Sequence, residues 1–211
     1  MRDRSAEVLP QALLEELGGL AAARSFPKNA VIVSEGDDTG SLYVLLSGRV
    51  KVFLADENGR EVELNRLGPG EYFGEVTLDG GPRSASVMAL EETRCAVVRR
   101  AELLGLIERQ PELALHMLRR LARRVRALSQ NVRSLALMDV YGRVARLLLE
   151  LAEERDGRLV IDEPLTHKEI ASRVGASREM VSRIFSDLAE GGYVGKDGGR
   201  LVIVRTPPPR W

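Results

Sequence analysis

The sequence predicts an α+β chain in three consecutive parts: a β-rich barrel or sandwich, one long helix, and a compact helical domain ending in a hairpin. Three observations carry this reading. Residues 1–100 fall into short β-rich runs broken by Gly, Pro, Asp and Asn turns. From Pro111 onward the apolar residues step by three and four, the period of a helix. Helix-start signals then appear at Thr166 and Ser177, on either side of Gly175.

Ahead of the β-rich part, LPQALLEELGGLAAA has helical composition, and Leu9, Leu13, Leu17 and Leu20 share one face. The segments AVIVSEGD, SLYVLLSGRVKVFLAD, REVELNRLGPGEYFGE and SASVMALEETRCAVVRR supply the strands. Glycines at 36, 40, 48, 59, 68, 70, 74, 80 and 81 punctuate them at the spacing of an all-β barrel or sandwich. In the long helix, Leu118, Leu121, Val125, Leu128, Val132 and Leu135 form an a/d seam lasting almost three heptads. Arginines at 119, 120, 123, 124, 126 and 133 keep that seam narrow, which suits a partner helix better than a broad core face. A parallel homodimeric coiled coil is the expectation, and a helix packed on its own barrel is the alternative. After Met138 and Asp139, VYGRVARLLLELAEE reads as a second helix ending near Asp156 and Gly157. A short strand (RLVI), a proline, two short helices and a hairpin complete a domain of about 70 residues.

Composition narrows the classes. The chain has 211 residues, 44% hydrophobic and 29% charged, which is ordinary for a globular protein of one large or two small domains. No apolar run approaches the ~20 residues needed to cross a bilayer. The start, MRDRSAEVLPQ, lacks the apolar core of a signal peptide. One cysteine excludes an internal disulfide and any multi-cysteine zinc or iron–sulfur cage, so a cytoplasmic location without membrane contact is the expectation. Residues 26–100 contain no His, which sets aside a metal or haem site in the barrel. Thirty-one basic side chains balance 31 acidic ones, yet the balance is uneven. Residues 1–100 carry 12 basic and 16 acidic groups, residues 101–138 carry 7 and 3, and residues 139–211 carry 12 of each. Overall neutrality implies weak indiscriminate binding to nucleic acid, because phosphate neutralisation supplies most non-specific affinity.

The segment THKEIASRVGASREMVSRIFSDL is the most specific signal in the chain. Thr166 and Glu169 make a capping box after Pro164-Leu165, and Ser177 is the N-cap of a second helix. Ile170, Val174, Val181 and Ile184 are spaced to face inward. Small Ala171 allows a close crossing, and Gly175 supplies a left-handed turn residue. This is a helix-turn-helix. Near the start of its second helix, Arg178, Glu179, Ser182 and Arg183 occupy the exposed face that enters a major groove. Arginine can hold guanine O6 and N7 together, and a carboxylate can accept from cytosine N4. Thr166, His167 and Lys168 open the first helix, where amides, a hydroxyl and a cation suit a phosphate. A helical hairpin with merely solvated charges is the plainer account, and the fit at both packing and contact positions argues against it. His167 therefore reads as a phosphate neighbour rather than a metal ligand, and His116 as a packing or solvent-facing residue. GGYVGKDGGRLVIV adds a two-stranded wing turning at Asp197-Gly198, with Lys196 and Arg200 placed to touch backbone.

In the barrel, PGEYFGEVTLDGGPRSASV concentrates anion chemistry. Gly74-Glu75 opens a short helix whose amides can meet an anion, Arg83 supplies a fork for a phosphate, and Ser84 adds a hydroxyl and an amide. Glu75 can accept from a ribose 2′-hydroxyl. An Arg–Glu pair joining a helix to a hairpin accounts for the same residues, and spacing alone leaves the two readings open. Together with SREMVSRI, however, the cassette is similar to that of the cyclic-AMP receptor protein branch of the Crp/Fnr family of bacterial transcription regulators. The resemblance covers about residues 20–205, in the family's order of β-roll, dimer helix and winged helix.

That resemblance implies a jelly-roll-like cyclic-nucleotide-binding β-roll with its N-terminal helix over 1–110, a dimerisation helix and hinge over 111–138, and a winged helix-turn-helix over 139–211. It implies ribose-phosphate contacts at Gly74, Glu75, Arg83 and Ser84, and a dimer-helix arginine beside the pocket at Arg124. The two adjacent helix hydroxyls that reach the adenine in this branch fall on Leu128 and Ser129, and Leu128 has no hydroxyl to offer. A buried donor left unpaired costs ~1–3 kcal/mol, so the base end departs from the family where the phosphate end matches it. DNA contacts are implied at Thr166, His167, Lys168, Ser177, Arg178, Glu179 and Arg183. The implied partners are palindromic DNA with TGTGA-like half-sites, a cyclic nucleotide (most simply cyclic AMP) as effector, RNA polymerase, and a second copy of the chain. No catalytic cofactor and no enzymatic activity are implied, and the barrel offers no base–nucleophile pair. A regulator that acts without nucleotide, or senses another small effector, is the alternative. The tail TPPPRW reads as an extended, Pro-stiffened end.

Overall fold

The computed structural model describes residues 8–38, 40–155 and 157–208. They divide into two compact units, one running to Leu54 and resuming over Leu64–Ala127, the other joining Ala55–Glu63 to the chain from Leu128 onward.

The first unit is the expected β-structure. Strands β1 (Ala22–Phe26), β8 (Thr93–Arg99), β3 (Ser41–Ser47) and β6 (Tyr72–Phe73) form one sheet in that order. Strands β2 (Val31–Val33), β7 (Ser86–Ala89), β4 (Val50–Ala55) and β5 (Glu61–Leu67) form a second. The run SLYVLLS shows how alternation divides the core. Tyr43 and Leu45 join Val50, Val52, Phe73 and Val87 in one cluster, while Leu42 and Val44 turn to the opposite face. On that face they meet α1 (Gln11–Leu20), α2 (Arg100–Arg109) and the start of α3 (Pro111–Leu137), through Leu13, Leu17, Leu103, Leu106, Leu113 and Met117. Leu9, Leu13 and Leu17 are buried as the shared face requires, and the side chain of Leu20 lies outside the described residues.

The second unit packs α4 (Val140–Leu151), α5 (His167–Val174) and α6 (Arg178–Glu190) over a sheet ordered β11 (Val194–Asp197), β12 (Arg200–Ile203), β10 (Arg158–Ile161), β9 (Glu153–Arg155). Its core is Tyr141, Val144, Leu148, Ile161, Ile170, Val174, Val181, Ile184 and Leu188. Asp139 caps α4, its Oδ1 accepting from the Gly142 amide at 2.7 Å.

Several expectations need correction. The second helix stops at Leu151, and EER forms strand β9 instead of a further helical turn. It pairs with β10, so tertiary hydrogen bonding overrides a helix-favouring composition. The wing is consequently part of a four-stranded sheet, not an isolated pair. Its turn is centred on Gly198-Gly199, both at positive φ, because Asp197 still pairs with Arg200. Strand β1 and helix α2 were not legible. Helix α2 lacks a Ser, Thr, Asp or Asn start; Glu102 reaches back to the Arg99 amide at 2.8 Å instead.

Cys95 in β8 is fully buried, and burial pushes its thiol up to about 12. Its thiolate is therefore negligible near neutral pH. Iodoacetamide at about pH 8 should leave the native chain unmodified and alkylate it in concentrated guanidinium, as read by intact mass. Native-state labelling at the rate of a free thiol would contradict this packing.

Candidate functional site

The cassette residues converge at one end of the β-roll. Gly74, Glu75, Arg83, Ser84 and Arg124 line one cavity with Val33, Val52, Phe73, Val76, Ala85 and Val87. Gly74 leaves β6 at φ +93°, and a Cβ there would lie 2.4 Å from Arg83 Nη1 and 2.7 Å from the Ser41 carbonyl oxygen. The missing side chain thus makes room for the guanidinium. Arg83, itself buried, donates to the Ser41 carbonyl at 2.7 Å and to the Gly74 carbonyl at 3.1 Å. Burial lowers its pKa, against the opposing pull of Tyr43, Glu75 and Asp37. The fork is held by the loop it would share with an anion.

Glu75 is the most informative residue. Its side chain is 3% exposed, and Oε1 accepts from Arg124 Nη1 at 2.7 Å. Its Oε2 is buried with no hydrogen-bond partner among the described residues. A carboxylate oxygen in that position is a costly omission unless a donor comes to it. The structure therefore shows both accounts of the cassette at once: an Arg–Glu pair is present, and half of the carboxylate remains unused. The cavity among these residues measures about 30 Å³, room for little more than a water. Pockets that enclose drug-sized molecules run to ~300–1,000 Å³, so a nucleotide enters only if the walls move. Leu128 and Ser129, both exposed, are not among the lining residues.

The DNA-reading candidates gather on the second unit. Thr166 Oγ1 accepts from the Glu169 amide at 3.2 Å while Glu169 Oε2 accepts from the Thr166 amide at 2.9 Å, closing the capping box. Gly175 adopts the left-handed conformation (φ 66°, ψ 46°), and Ser177 Oγ caps α6 by accepting from Met180. Thr166, His167, Lys168 and Arg178 come together with Leu165 around a cleft of about 490 Å³. Arg178, Glu179 and Arg183 are exposed. His167 is half-buried, its ring 5.0 Å from that of Phe185.

Sequence reasoning missed the residues that hold the turn. Arg143 donates to the Val174 carbonyl at 2.8 Å, and Arg60, from the segment 55–63, donates to the Gly175 carbonyl at 2.8 Å. Burial lowers the Arg143 pKa, Asp139 opposes that, and Arg60 adds to it. Arg173 adds ion pairs to Glu163 at 2.7 Å and Glu63 at 3.4 Å. Nothing in local pattern links residues 60 and 175, so only the fold reveals the contact.

The comparisons with known proteins agree with this geometry. Residues 23–110 match the cyclic nucleotide-binding domain family, and residues 142–208 match the Crp-like helix-turn-helix domain family. A CRP-like cAMP-activated global transcriptional regulator of Mycobacterium tuberculosis is 38% identical over 183 residues, covering 84% of this chain and 82% of the relative. The cyclic AMP receptor protein of Thermus thermophilus is 40% identical over 181 residues, covering 85% and 82%. The chain belongs to the Crp branch of the Crp/Fnr family. Crp proteins are regulators and not enzymes, and this member is a transcription regulator joining a cyclic nucleotide-binding domain to a DNA-binding helix-turn-helix. Among solved structures, the Thermus thermophilus catabolite activator protein is 34% identical with a TM-score of 0.55, covering 92% of this chain and 91% of that one. The c-di-GMP responsive global regulator of Xanthomonas campestris shares the fold, with a TM-score of 0.81 at 24% identity, covering 93% of this chain and 100% of that one. No helix among the described residues is long and apolar enough to cross a membrane.

Replacing Gly74 by Ala should strain the backbone by roughly 1–2 kcal/mol and drive Cβ into Arg83 Nη1 and the Ser41 carbonyl. Urea unfolding should show that loss with the slope unchanged, and an unaltered midpoint would mean that Arg83 is not packed as described.

Proposed function

We propose that this Crp protein is a homodimeric regulator, acting in the cytoplasm, whose sequence-specific DNA binding is switched by cyclic AMP. The observation that carries the ligand reading is Glu75 Oε2, buried without a partner beside the guanidinia of Arg83 and Arg124. A cyclic nucleotide satisfies both needs, with a ribose 2′-hydroxyl donating to Glu75 and a phosphate accepting from Arg83, Ser84 and the Gly74 region. Arg124 then passes from Glu75 to the ligand. The relatives named as cAMP-activated support cyclic AMP as the effector.

Dimerisation rests on the seam of α3. Leu118, Val125, Leu128, Val132 and Leu135 are 62, 62, 37, 64 and 49% exposed, whereas Leu113, Met117 and Arg120 form the buried face. An apolar stripe at heptad spacing fits a second copy of itself, side by side in parallel. Two-fold symmetry then places two α6 helices about 34 Å apart, matching a palindrome with TGTGA-like half-sites read by Arg178, Glu179 and Arg183. Ser177, Thr166, His167 and Lys168 serve the phosphates. Contact with RNA polymerase follows from membership in a family of activators.

A second reading has one residue in its favour. Leu128 stands where this branch places a hydroxyl for adenine, so a nucleotide with another base, or another effector, fits that position at least as well.

Calorimetry with cyclic AMP and cyclic GMP separates these readings. Cyclic AMP should bind with a Kd that rises at least tenfold in Arg83→Ala, while tighter binding of cyclic GMP would favour the second reading. No heat with either nucleotide would remove the nucleotide switch. For DNA, Arg183→Ala should cost about 1–3 kcal/mol on a TGTGA palindrome and relax selectivity at one G·C pair. Equal weakening on every sequence would count against base readout.

A further inference from the structure

Helix α3 makes a second charge contact that repeats the pocket contact at the same spacing. Arg120 lies one helical turn before Arg124, and Glu71 precedes strand β6 as Glu75 follows it. Arg120 Nη2 stands 4.0 Å from Glu71 Oε1, with side chains only 6% and 7% exposed. Its guanidinium also lies 3.9 Å from the centroid of the Tyr72 ring, which is 1% exposed. Glu71 is anchored in turn: Oε2 accepts from the Gly68 amide at 2.8 Å, and its carbonyl accepts from Leu45 in β3 at 2.8 Å. Glu71, Tyr72 and Arg120 are not among the residues lining the nucleotide cavity.

The two pairs differ in how they can open. Arg124 is 23% exposed, so its charge can return to water when a ligand takes over Glu75. Separating Arg120 from Glu71 would leave two buried charges uncompensated and forfeit the contact with the Tyr72 ring. One contact is releasable and the other is not.

We propose that Glu71, Tyr72 and Arg120 form a fixed pivot for α3, so that a ligand arriving at Glu75 and Arg124 frees only the helix beyond residue 124. This rests on the nucleotide reading given above and adds where its signal is directed. The freed part, residues 125–137, carries Val125, Leu128, Val132 and Leu135 of the seam, so ligand energy is spent on the dimer face and not on loosening α3 from the β-roll. Arg120 is a positioning residue. It touches neither nucleotide nor DNA, and it sets which end of the helix responds.

The test uses the full chain and two readouts. Glu71→Gln/Arg120→Met removes both charges together and keeps the packing volume, and Arg120→Met alone is the comparison should the pair affect folding. In the double variant, cyclic AMP should bind within about threefold of the wild-type Kd. The nucleotide-induced gain in DNA affinity, of the order of 5–150-fold in coupled systems, should fall below about threefold. A purely structural role would lower stability and leave that ratio alone. Coupling within twofold of wild type, in a variant that binds nucleotide normally, would overturn the pivot. Hydrogen exchange tests it without any ligand. Arg124→Met should speed exchange of amides 125–137 and spare 113–123, and adding Glu71→Gln/Arg120→Met should spread the effect along the whole helix. If Arg124→Met alone loosens both halves equally, the pivot is wrong; if the wild type gives no heat with nucleotide, the effector reading fails while the exchange result still decides the pivot.

Discussion

The architecture depends on one constraint: α3 must serve a β-roll with one face and stay available with another. A helix sorts its residues every 3.6 positions, so the two duties need two stripes that do not overlap. Leu113, Met117 and Arg120 take the first, joined by His116, whose ring lies 6.1 Å from that of Tyr72. The heptad residues from Leu118 to Leu135 take the second. Arginines fill the borders, and their stems cover apolar surface while their charges reach Glu71 and Glu75. This explains why a helix of 27 residues carries so many cations and yet remains attached to its domain.

Charge neutrality takes on a local meaning in this setting. Most arginines of the second unit have acidic neighbours: Arg146 with Glu150, Arg155 and Arg200 with Asp162, Arg158 with Asp197, and Arg173 with Glu63 and Glu163. Many of these pairs are exposed and contribute little to stability individually. Their effect is to remove a diffuse positive field. Lys168, Arg178 and Arg183, around the two helix starts, stand where a specific contact needs them, and selectivity falls to geometry rather than to attraction for any polyanion.

The sequence was most legible where the code is local. Thr166-Glu169, Gly175 and Ser177 each do what their type and spacing require within four residues of chain, so the helix-turn-helix could be read position by position. The seam was legible because it is periodic. The cassette could be assembled from the sequence, since Gly74, Glu75 and Arg83 lie within ten residues, but the orphan oxygen of Glu75 depends on Arg124, 49 positions away. Helix α2, strand β1 and strand β9 escaped because they borrow their stability from neighbours and show no start signal or strong alternation of their own. Arg120 looked like one more solvated arginine of a coiled coil. Only the position of Tyr72 and Glu71 shows that it is buried.

The smallness of the cavity has a kinetic and thermodynamic consequence. A ligand cannot fit in about 30 Å³, so it meets a binding-competent site only in molecules whose walls have already parted or are forced to part. The measured affinity is then the intrinsic affinity multiplied down by the open fraction, and association is slower than collision. Every contact that keeps the resting site shut, the Glu75–Arg124 pair foremost, raises the effector concentration at which the protein responds. The closed cavity is in that sense a threshold, and its tightness sets how much of a signal this regulator will ignore.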